Sequence, residues 1–134
     1  RGAPLEDAAE LFGRMVFNAV CGNDDDHVRN HAVLYDFLIA RWRLTPAFDV
    51  VPNTVDTPSA LSMQVSLGRL DISRQSMLAD AFRFGFKSKE AAASYLDALL
   101  TRIEAAFDEA CEVLDAEWKR FLRVRMEENF ARLG

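Results

Sequence analysis

Lysine is scarce in this chain, with 3 residues (Lys87, Lys89 and Lys119) against 13 arginines, and none precedes the acidic segment at residues 23–30. The balance of 16 basic to 21 acidic residues gives a formal charge of −5 and leaves no basic stripe. That excludes a nucleic-acid binder held by bulk charge, because counterion release needs clustered Lys and Arg. Only two cysteines occur, Cys21 and Cys111, without CxxC spacing, so zinc and disulfide readings are weak and buried thiols in a reducing compartment are expected. No run of about 18 apolar residues and no signal-peptide layout is present, which predicts a soluble, cytoplasmic protein. Internal repeats and low-complexity stretches are also missing.

Half of the 134 positions are hydrophobic, enough for one core and hardly for two, so residues 1–134 read as a single domain. Leu5, Ala8, Phe12, Met15, Val16, Ala19 and Val20 recur at three and four, the spacing of an amphipathic helix. Pro4 suits its first turn, Glu6 and Asp7 its positive end, and Gly22 its stop. Residues 23–30 are too polar for a core element and read as a loop. Two apolar stretches, 31–37 and 42–44, predict a hairpin, and Pro46 ends its second strand. Residues 51–58 should be irregular, with a short strand over 61–65. From Ser73 the pattern is helical: one helix from Ser73 to Gly85, a longer one capped by Ser88 and running to Leu114, and a last one from Trp118 to Leu133, with a boundary near Asp115.

The informative segment is Gly22-Asn23-Asp24-Asp25-Asp26-His27-Val28-Arg29-Asn30. Three adjacent carboxylates repel one another unless a cation offsets them, which points to a divalent metal. Protein kinases place a catalytic Asp and a metal-binding Asn five positions apart, and Asp25 with Asn30 repeats that interval. A second metal-binding carboxylate should follow a hairpin, and Asp49 comes after Leu44-Thr45-Pro46-Ala47-Phe48. No Gly follows Asp49 and no A-P-E occurs, so this is not an ordinary eukaryotic-type kinase. An EF-hand fails because Val28 stands at the fifth position from Asp24 and no Gly follows. A metal-dependent phosphohydrolase would need further His or Asp ligands, and the chain has two histidines.

Phe17-Asn18, Gly22-Asn23-x-Asp25-x-His27-x-Arg29-Asn30-His31 and Leu44-Thr45-Pro46-Ala47-Phe48-Asp49 together resemble the C-terminal region of HipA-like toxin serine/threonine kinases. The resemblance implies a mainly α fold, the helical C-lobe of an atypical protein kinase with a small β-hairpin carrying metal-binding residues. It implies Asp25 as catalytic base, Asn30 and Asp49 as Mg²⁺ ligands, and His27 and Arg29 near the phosphates of ATP. Arg29 stands where the family usually has Lys, which keeps the charge and changes its geometry. The family's phosphate-binding loop and nucleotide lysine lie upstream, so the fragment alone is expected to be structured and inactive. A toxin–antitoxin setting follows from the resemblance, with a HipB-like DNA-binding antitoxin and protein substrates of the translation machinery. The alternative is a non-catalytic helical interaction module left from a degraded kinase. Asp24, Asp26 and His31 read as structural, the aromatic and methionine residues from Met77 to Phe130 as core, and Arg123 with Arg125 as a solvated face.

Overall fold

The computed structural model describes residues 5–134, so the expectation for Pro4 lies outside the described residues. Four α-helices and one two-stranded antiparallel hairpin are found among them: α1 (Leu5–Cys21), β1 (Val33–Asp36), β2 (Arg41–Leu44), α2 (Arg74–Ala79), α3 (Lys89–Ala110) and α4 (Ala116–Leu133). The chain is therefore mainly helical, as expected. None of the described helices is long and apolar enough to cross a membrane.

The apolar face of α1 forms the centre of the core. Phe12, Val16 and Ala19 are fully buried, and Phe12 meets Phe84, Phe86 and Tyr95 edge-on at centroid distances of 5.4, 5.0 and 5.9 Å. Burying one such ring contributes about 1.5–3 kcal/mol. Ala92, Leu96, Leu100 and Phe107 bring α3 onto the same core, and Met126 and Leu133 bring α4. Ser73, Ser88 and Asp115 cap α2, α3 and α4 by accepting from the backbone N–H of Ser76, Ala91 and Trp118.

Three expectations are corrected. The helix expected from Ser73 to Gly85 breaks into α2 and a 3-10 turn, Ala81–Phe84, which ends at Gly85 with φ 83°. No strand forms over residues 61–65. That stretch folds back on itself through isolated bridges, Ala60 with Asp71 and Ser66 with Arg69, which suffices to bury Leu61 and Val65. The third helix stops at Ala110 rather than Leu114, because the chain turns over residues 111–114 before Asp115 caps α4.

The hairpin pairs Val33 with Leu44 and Asp36 with Arg41, and it is bolted to α1 by ions rather than by apolar contact. Asp7 is buried and accepts from Arg43 Nη2 at 2.8 Å, from Arg43 Nε at 3.0 Å and from the Leu44 backbone N–H at 2.8 Å. Arg14 Nη2 donates to the Thr45 carbonyl at 2.6 Å. The Arg43 hydrogen bonds hold the Asp7 carboxyl below its usual range, so its contribution is present above about pH 4 and is lost as pH falls through the native value. Asp7→Ala should lower the unfolding temperature at pH 7 by roughly 5–10 °C, and the gap to wild type should narrow below about pH 4. Thermal melts from pH 7 to pH 3 measure this, and a gap that stays constant with pH would contradict it.

Candidate functional site

Helix α1 ends in a way that fixes the direction of the acidic loop. Gly22 adopts φ 74°, and the Asn23 N–H reaches back to the Asn18 carbonyl at 2.9 Å, a Schellman-type closure. The Asn23 amide also donates to Asn18 Oδ1 at 3.1 Å, with both side chains buried. Further on, the 3-10 turn Val28–Asn30 tightens the chain, and Asn30 Nδ2 donates to the Asp25 carbonyl at 3.3 Å. The five-residue interval from Asp25 to Asn30 is thus a loop closed on itself. The amide nitrogen of Asn30 is used in that closure, which leaves its oxygen as the acceptor.

A second loop, residues 45–53, lies against the first. Two backbone hydrogen bonds bracket the pair: Thr45 N–H to the Ala32 carbonyl at 2.9 Å, and Asn53 N–H to the Gly22 carbonyl at 2.8 Å. The second loop therefore begins beside the end of the first and finishes beside its start. Asn53 Nδ2 also donates to the Asp24 carboxylate, at 3.3 and 3.4 Å, and Ser62 Oγ donates to the Asp24 carbonyl. Between them α1, α3 and the two loops enclose a cavity of about 300 Å³, whose lining includes Asn18, Asp26, Asn30, His31, Phe48 and Val50.

Within this frame Asp25 and Arg29 are exposed, Asn30 is buried, and His27 is half-buried with Nδ1 enclosed and unpaired. Asp49 is exposed and holds φ 57°, a left-handed conformation that costs most residues about 1–2 kcal/mol. Phe48, next to it, lines the cavity with Asn30 and His31. Asp26 accepts from His31 Nε2 at 2.8 Å and Asp24 from Asn53 Nδ2.

Among the described residues no three His, Cys, Asp or Glu side chains form a ready-made metal cluster. The candidate set contains two carboxylates and an amide oxygen, hard oxygen donors that suit Mg²⁺, an ion that usually keeps several waters and takes one or two carboxylates. The donor chemistry of Asp49 and Asn30 fits that ion.

The family model for the HipA-like C-terminal domain matches residues 1–118. The chain belongs to that family. No curated protein matches it. Both loops lie inside the span matched by the HipA-like model, and so do α1, which carries them, and α3, which closes the cavity behind them. A larger, apolar cavity of about 530 Å³ adjoins the first and shares Phe17, Val50, Leu99 and Arg102 with it. Both cysteines of the HipA-like domain line it as free thiols, and burial pushes Cys21 up to about 11, the unreactive state expected of structural thiols.

One expectation for this domain is reversed. Arg125 is not on a solvated face: it is 1% exposed, one of the most buried side chains of the molecule. Its Nη2 donates to the Asp56 carbonyl at 2.6 Å and its Nη1 to the Cys21 carbonyl at 3.4 Å, while the guanidinium lies 4.5 Å from the Phe121 ring centroid. Burial pulls its pKa below the usual arginine range, and Cys21 and Asp24 oppose that shift. Arg123, by contrast, sits half-buried over Phe107 and pairs with Asp108 at 3.0 Å. Asn129, one turn after Arg125, is fully buried and donates to the Val20 carbonyl at 3.2 Å. Neither residue carries a sequence signal, because their partners are main-chain carbonyls far away along the chain.

Proposed function

We propose that this HipA-like domain is the catalytic-loop-bearing part of a toxin serine/threonine protein kinase, which transfers the γ-phosphate of ATP to a protein hydroxyl. The bracketing of the two loops supports this reading, because backbone hydrogen bonds tie the loop that carries Asp25 and Asn30 to both ends of the loop that carries Asp49. In phosphoryl transfer the protein contributes mostly positioning and charge. Asp25, exposed at the loop apex, would accept the proton of the substrate hydroxyl as that oxygen bonds to phosphorus and the bond to the departing ADP oxygen breaks. Asn30 and Asp49 would hold Mg²⁺, which when bound neutralises charge on the phosphates. His27, with its unpaired Nδ1, and exposed Arg29 would face the phosphate oxygens.

The residues that grip the nucleotide would come from a further lobe of the same kinase, so the chain alone should be structured and silent. Leu34, Phe37 and Leu38, exposed on the hairpin, support a face that is covered in the working enzyme. A HipB-like DNA-binding antitoxin and substrates of the translation machinery come from the family's toxin–antitoxin setting, as does a cytoplasmic location. Transfer of radiolabelled phosphate by the complete kinase, with and without the Asp25 carboxylate, tests the reading. A non-catalytic interaction module predicts no transfer in either case.

A further inference from the structure

The C-terminal ends of helices expose carbonyls that need donors, and α1 ends at the root of the acidic loop. Here the donors come from α4, most of which follows the span matched by the family model. Asn129 takes the Val20 carbonyl and Arg125 takes that of Cys21. The contact is close enough that a Cβ on Gly22 would fall 2.7 Å from Arg125 Cδ. Arg125 also binds the Asp56 carbonyl, and Arg132 binds the Pro58 carbonyl at 2.8 Å and Asn129 Oδ1 at 2.9 Å. Asp56 and Pro58 follow Asn53, whose N–H ties the second loop to Gly22. One helix thus grips the start of the first loop and the exit of the second. Placing a guanidinium there also sets a positive charge at the negative end of α1, near Asp24.

We propose that Arg125, supported by Asn129, is a positioning residue for phosphoryl transfer, acting through the backbone of residues 20–22 and 56 to hold the Asp25 and Asp49 loops in mutual register. This rests on the kinase reading above. The test uses the complete kinase and compares Arg125→Met, Asn129→Ala and, as a control on α4 that bonds to neither loop, Arg123→Met. Arg125→Met should lower kcat about 10²-fold, the scale of an ångström-sized misplacement, and leave KM for Mg-ATP within about threefold. Amide hydrogen exchange should quicken in residues 22–30 and 53–58 and stay unchanged in α3. Asn129→Ala should show the same pattern with a fall of about tenfold, and it carries the test if Arg125→Met does not fold. Arg123→Met should match wild type. Unchanged kcat in a folded variant overturns the proposal, and so does a loss of rate that vanishes on cooling well below the unfolding temperature, since that is global destabilisation. An inactive wild type instead refutes the kinase reading, and the exchange pattern then still reports whether α4 orders the two loops.

Discussion

Asp25→Asn in the complete kinase should reduce phosphate transfer by roughly 10²–10⁴-fold, the contribution of a positioned general base. The fold should survive because the Asp25 side chain is exposed and the loop is closed through its backbone carbonyl, which the substitution leaves in place. Asparagine keeps the shape and removes the basic oxygen, so KM for Mg-ATP should move little while kcat falls. Radiolabelled transfer measured beside a thermal melt separates the two effects. Wild-type transfer by the variant would reject Asp25 as the base, and loss of transfer with a lowered melting temperature would show that its side chain is structural.

Asp49→Gly should separate activity from stability in the opposite sense. Asp49 holds φ 57°, where glycine sits without strain and aspartate is tolerated better than most other residues. Relief of that strain is partly offset by the greater freedom of glycine in the unfolded chain, so stability should be unchanged or rise by up to about 1 kcal/mol, a few degrees in melting temperature. Transfer should nevertheless fall by at least about 10²-fold, because the carboxylate is lost. A variant that melts more than about 5 °C below wild type, or that still transfers phosphate, would contradict the role given to Asp49.

Residue type and spacing were a good guide to the elements. The buried face of α1 from Phe12 to Val20, the serine caps of α2 and α3 and the hairpin between Val33 and Leu44 could all be read from them, although Leu5, counted on that face, is exposed. They failed where the deciding interaction is local and polar. Asp115 spends its side chain on the Trp118 N–H, which fixes the start of α4, while the apolar pattern that runs on to Leu114 passes through a turn over residues 111–114. Residues 61–65 have the composition of a strand but no partner strand, only the returning chain at 69–71. The site divides along the same line. The acidic run and its spacing to Asn30 and Asp49 are visible in the chain, whereas Arg125 looks like any arginine on a charged helix. Its importance comes from a fold that brings it to the Cys21 and Asp56 carbonyls, and no spacing rule encodes that.

In the proposed kinase one divalent ion would join the loop after α1 to the loop after β2. Mn²⁺, which takes the same hard oxygen ligands as Mg²⁺ and broadens nearby nuclear resonances, can be titrated with ATP into the complete kinase, where the lobe that productive Mg²⁺ and ATP binding requires is present, while backbone amide signals are followed. Signals of residues 23–31 and 47–51 should broaden together over a single concentration range, and Asp49→Ala should abolish the effect in both. Broadening of residues 23–31 that persists undiminished in Asp49→Ala would mean that the two loops do not share an ion.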